Sequence, residues 1–212
     1  MKTLLPLVII IILSYSCKQD QASSKSDKAN EPANIIVAPQ EGLKQIENII
    51  YKTASGKSIE LIINKKNNSL SDFTIVAIDF QHSTDSLGIS DSDPLQDVAI
   101  KDLDANGYDE LYLITNSVGS GSYSSVFGFA SNQDLSLTTI FVPDISENDV
   151  QTGGPFHGYM GHDSIYFTNN RMYRKYPVYK DGDPNCCPTG GDKTVSYQLK
   201  AGEATWKLEI EN

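Results

Sequence analysis

Basic residues are in short supply. Lys and Arg number 17 against 27 Asp and Glu, a formal net charge of -10 over 212 residues. A nucleic-acid or anionic-membrane binder needs basic surface to displace counterions, and here the long-range field repels such partners. Long apolar runs are scarce too. Leu4–Leu13, broken only by Pro6, is too short to span a bilayer, which takes about 20 residues. Histidine is limited to three residues. His157 and His162 stand close with Asp163 adjacent, but His82 is remote and no third partner for a zinc site or catalytic triad can be placed, so they read as structural histidines. No carboxylate pair stands out among the acidic residues, which leaves a glycan-turnover enzyme as the weakest functional class. Hydrophobic content of 39% with 21% charged residues is that of an ordinary globular chain, and the length predicts one core.

What is present at the N-terminus is a secretory pattern. Lys2 precedes the apolar run, and Ser14-Tyr15-Ser16-Cys17 closes it with a small residue directly before cysteine. This resembles a bacterial lipobox, loose at Tyr15, and implies cleavage before Cys17 with acylation of its thiol. Residues 1–16 are then the signal peptide. Lys18 at the next position lacks the inner-membrane retention signal, so the outer membrane is expected, on its periplasmic or surface face. Lys18–Asn34 holds no aromatic and no β-branched residue and reads as a flexible tether, residues 17–34.

Residues 35–212 read as a single all-β domain, an antiparallel sandwich or barrel-like fold with short helical turns. Ile59, Leu61 and Ile63 alternate with polar or outward positions, as do Val195, Tyr197 and Leu199, and Trp206, Leu208 and Ile210. The nearly continuous apolar run Phe73–Phe80 is expected to be a central strand buried on both faces. Turns are marked by Ser55-Gly56, Asn106-Gly107, Asn169-Asn170, Asp181-Gly182-Asp183 and Gly190-Gly191. Glu41–Tyr51 also fits an amphipathic helix, a helical turn is expected near Ile145–Val150, and no internal repeat is evident.

Two loops carry candidate chemistry. Asp102, Asp104, Asn106, Tyr108 and Glu110 occupy the alternate positions of an acidic loop with Gly107 at its sharp turn. A hard cation such as Ca2+ takes several converging oxygens. The loop resembles those of integrin-type FG-GAP repeats, which implies a calcium-dependent binding module. The competing reading is a hairpin turn, in which Asn106-Gly107 joins two strands and the Asp side chains cap the backbone. The second loop, Asn116–Ser125, is rich in Gly and Ser between two apolar runs. It lacks the Lys and helix of a phosphate cradle, and the strand–elbow–helix context of a serine nucleophile.

Val98–Thr115, Gly119–Tyr123, Phe156–Asp163, Arg174–Tyr179 and Gly182–Gly191, taken in order, resemble the periplasmic inhibitors of invertebrate-type lysozyme, over about residues 95–200. The resemblance implies a non-enzyme that needs no cofactor, has a lysozyme as partner and can form a homodimer. It also implies a loop, here Ser120-Gly121-Ser122-Tyr123, that enters the lysozyme cleft. Gly119 and Gly121 are expected to supply close approach and positive φ. Cys186 and Cys187 are adjacent, so a disulfide between them is vicinal, across Cα atoms about 3.8 Å apart. An oxidising envelope permits it.

Overall fold

The computed structural model describes residues 45–82 and 86–211. Cys17, the signal peptide and the tether lie outside the described residues. The strands form three four-stranded antiparallel sheets, each a simple meander in chain order. The first holds β1 (Gln45–Lys52), β2 (Ser58–Lys65), β3 (Ser71–Ile78) and β4 (Ser86–Ser92). The second holds β5 (Leu95–Lys101), β6 (Glu110–Asn116), β7 (Ser124–Asn132) and β8 (Ser136–Ile140). The third holds β9 (Ser164–Thr168), β10 (Arg171–Pro177), β11 (Asp192–Ala201) and β12 (Trp206–Ile210). The domain is therefore all-β and sandwich-like, and its sheets stay open instead of closing into a barrel. Threefold repetition of the meander is a property of the fold that sequence self-similarity does not reveal.

The second sheet is the middle layer. On one side Leu111, Leu113 and Phe129 pack with Ile59, Leu61, Phe73 and Ile75 of the first sheet. On the other, Tyr112, Ile114 and Val126 pack with Met172, Tyr176, Val195, Tyr197 and Leu208 of the third. Successive side chains of a strand point to opposite faces, so a strand in the middle layer must bury both. That strand is β6, buried from Glu110 through Thr115. The expectation for Phe73–Phe80 is corrected: in β3, Phe73, Ile75 and Ala77 are buried, whereas Thr74, Val76 and Ile78 are only half-buried. The helix reading of Glu41–Tyr51 also fails where residues are described, since Gln45–Lys52 is an edge strand. Ile46 and Ile50 face outward opposite Asn64 and Glu60, while Ile49 and Tyr51 pair with Leu61 and Ile59. Ile46 and Ile50, spaced like one face of a helix, here share the outward face of an edge strand.

Other local expectations match. Val195, Tyr197 and Leu199 are the buried residues of β11, and Asn169-Asn170, both at positive φ, form the two-residue turn of the β9–β10 hairpin. The short helix α1 (Glu147–Val150) starts at Ser146, whose side chain caps Asp149 while Asp149 reaches back to the cap backbone.

Candidate functional site

Three loops meet at one end of the middle sheet. The first, Ser117–Tyr123, joins β6 to β7. It closes on itself: Ser117 N–H donates to the Tyr123 carbonyl at 2.9 Å, and Tyr123 N–H donates to Ser117 Oγ at 2.8 Å. Ser122 Oγ donates to Asn116 Oδ1 at 2.8 Å, so this hydroxyl is committed inward. The second loop, between α1 and β9, braces it from one side, with His162 N–H donating to the carbonyls of Gly121 and Ser122 at 2.7 and 3.2 Å. The third, between β10 and β11, braces it from the other. There Asn185 Nδ2 donates to the Ser120 carbonyl at 3.2 Å, and Tyr179 OH fixes the Asn185 carbonyl at 2.8 Å. Cys186 and Cys187 form a vicinal disulfide in this third loop.

A buried ion pair fastens the base of the first loop. Asp163 Oδ1 accepts from Ser124 N–H at 3.0 Å, and its Oδ2 holds Arg174, which donates to the Ser124 carbonyl at 2.9 Å. The side chains of Arg174 and Asp163 are 6% and 0% exposed. Burial is the largest single influence and works against the guanidinium charge, but the Asp163 carboxylate together with Tyr197 and Tyr159 outweighs it and raises the Arg174 pKa. Both backbone groups at the first residue of β7 are thus held by charged partners that are themselves shielded from water.

What remains exposed is neutral. Ser120 and Tyr123 face solvent, and Tyr123 is 45% exposed. Val118, which the sequence offered no reason to single out, is 63% exposed at the tip. Tyr123 is not free to swing. Its ring packs edge-on against Tyr159 at 5.8 Å, and Tyr159 packs in turn on buried Tyr176 at 5.1 Å. Gly121 lies beneath the same ring, where a Cβ would come within 2.2 Å of Tyr123 Cε2. The expected use of positive φ at Gly119 and Gly121 is corrected. In this loop the left-handed residue is Ser122, at φ 44, and Gly121 serves close approach instead.

Comparison with protein-family models, curated proteins and solved structures gives no match for this chain. Phe156–Asp163 and Gly182–Gly191, which carried no assigned role in the sequence, are the two segments that brace the loop.

The acidic loop lies between β5 and β6, at Lys101↔Glu110 of their pairing, as an eight-position turn and not a two-residue hairpin. Carboxylate oxygens of Asp102, Asp104 and Glu110 lie within 4.8 Å of one another. Asn106 sits beside them but turns its amide Nδ2 to Asp104 Oδ2 at 2.9 Å and takes Tyr108 N–H on Oδ1 at 2.7 Å. The structure thus gathers three of the five expected ligands, with Asn106 adjacent and Tyr108 engaged through its backbone. The turn-capping reading is also visible, because Asp102 accepts from Asn106 and Gly107 N–H. Burial, together with the charges of Asp104, Asp102 and Asp109, pushes the Glu110 carboxyl up to about 8, against the Leu103 N–H that it accepts.

Removing one partner of a buried pair strands the other charge, so Asp163→Ala is expected to cost about 3–5 kcal/mol in urea unfolding. The neutral Glu110 carboxyl contributes stability that is fully present below about 4.5, its ordinary value, and is lost as pH rises through about 8. In metal-free buffer the melting temperature should fall over that window, and Glu110→Gln should flatten the fall.

Proposed function

We propose that this protein is a lysozyme inhibitor, anchored in the cell envelope through a lipid on Cys17, that blocks an active-site cleft with the loop Ser120–Tyr123. One observation supports the reading above the others: an exposed, uncharged Ser/Tyr tip is braced from both sides by the segments of the ordered resemblance. A lysozyme cleaves with two carboxylates, one of them kept protonated. A serine hydroxyl and a tyrosine phenol are donor and acceptor at once, so they can bond a carboxyl group in either protonation state. Each such bond to a charged carboxylate in a desolvated cleft is worth roughly 1.5–3 kcal/mol. Bracing lowers the ordering cost that a free loop would incur on binding. The protein performs no catalysis in this reading. Its negative charge speeds encounter with a basic enzyme at low salt, and a screening length of about 8 Å at 0.15 M limits that help.

The assay is hydrolysis of isolated peptidoglycan by invertebrate-type, chicken-type and goose-type lysozymes, with the full chain added in mild detergent. Inhibition of the invertebrate-type enzyme is expected, with loss of roughly 100-fold in potency for Ser120→Ala/Tyr123→Ala. Undiminished hydrolysis by all three enzymes would remove the inhibitor reading, and full potency in the double variant would remove the loop mechanism.

A second reading, a calcium-dependent binding module, is favoured by the convergence of Asp102, Asp104 and Glu110. The donor set is all oxygen, which suits a hard cation, and Ca2+ there would relieve the crowding of like charge. Calorimetric titration should give saturable heat and a raised melting temperature that Asp104→Asn removes. No heat and no shift would dispose of calcium.

A further inference from the structure

Beside the loop runs an open groove of about 850 Å³. It is lined by Ser124–Phe129 of β7, by Gly88-Ile89 of β4 and by the segment Phe141–Glu147. Tyr123 of the loop is also among its lining residues. The β7 edge is free for a definite reason. β8 pairs with β7 only from Gly128 to Asn132, after which the chain turns away at Phe141 to run beside β12. Ser124 has its backbone groups on that edge bound by Asp163 and Arg174. Val126 lies between these two stretches, and antiparallel alternation turns its N–H and C=O to the same edge as those of Ser124 and Gly128.

The lining fixes the chemistry of an occupant. Phe141 is 61% exposed with its backbone tied to β12, so its side chain presents apolar surface without being required by the core. Of the charged lining residues, Arg174 is buried and paired with Asp163, which leaves exposed Asp144 and Glu147 as the rim. The groove therefore fits an extended, apolar segment carrying a lysine or arginine, able to exchange two backbone hydrogen bonds with Val126. Because Tyr123 of the loop also lines the groove, a protein that receives the loop in its cleft brings the rim of that cleft beside the groove.

We infer that the β7 edge and the Phe141–Glu147 wall form a second contact surface that takes an extended, basic segment from the cleft rim of the target lysozyme. This rests on the inhibitor reading and assigns it a specificity site: the loop blocks the carboxylates common to lysozymes, and the groove selects among classes by their rim. The test is surface plasmon resonance of the full chain in mild detergent against the three lysozyme classes. It compares wild type, Ser120→Ala/Tyr123→Ala, and the triple variant Phe141→Ser/Asp144→Asn/Glu147→Gln, whose side chains are exposed. The triple variant should melt like wild type, dissociate at least about tenfold faster from the preferred lysozyme, and narrow the difference between classes. Hydrogen exchange should show the Val126 amide open in the free protein and protected in the complex. Triple-variant dissociation equal to wild type, or an unprotected Val126, would overturn the groove while leaving the loop reading intact. Failure of wild type to bind any of the three enzymes would overturn both.

Discussion

Everything at the candidate site hangs on the placement of Ser124, and that placement is set by Asp163 and Arg174. A buried pair of charges is expensive to desolvate and seldom adds much stability by itself. Here its function is positional. Asp163 comes from the loop between α1 and β9, Arg174 from the third sheet and Ser124 from the middle sheet, so one cluster of charge-assisted bonds ties together three parts of the chain. With Ser124 fixed, the loop that precedes it has one anchored end, and Asn116 in β6 is the other. His162 and Asn185 then have only short gaps to close. Tyr123 is oriented by its packing on Tyr159 and by the absence of a side chain at Gly121.

Much of the fold is legible in the sequence because period-two alternation is a direct consequence of one buried face. Ile59, Leu61 and Ile63 or Val195, Tyr197 and Leu199 announce their strands for that reason. The same logic misleads where the number of covered faces changes. β6 carries Glu110 and Tyr112 among its apolar residues, which disguises a strand covered on both sides, and β1 carries isoleucines outward on an edge. Covering of a second face depends on a sheet formed 50 or more residues later, as the separation of 50 between Ser124 and Arg174 illustrates. No local pattern encodes it.

The site divides in the same way. The Gly/Ser loop is visible from composition and turn chemistry, and its exposed tip is where the sequence places it. Its rigidity is not visible, since the bonds that confer it span 39 residues from Ser124 to Asp163 and 65 from Ser120 to Asn185. The acidic loop is the more local feature. Asp102 and Asp104 are two residues apart, and Glu110 reaches them because β5 and β6 pair at Lys101 and Glu110. Asn106 is where spacing alone goes astray, because the Tyr108 N–H of the turn takes the Oδ1 that a cation would need.

The acidic surplus also gains structure. Part of it converges at Asp102, Asp104 and Glu110, and part lines the groove at Asp144 and Glu147, while the loop tip itself is uncharged. In the proposed function, attraction of a basic partner and insertion into its cleft fall to different residues. The most direct measurement is a crystal structure of the complex with an invertebrate-type lysozyme. The account predicts Ser120 and Tyr123 within hydrogen-bond reach of the catalytic carboxylates, and a loop backbone within about 1 Å of its free conformation. A complex that leaves the cleft open, or one in which Ser117–Tyr123 refolds to enter it, would contradict the claim of a braced plug.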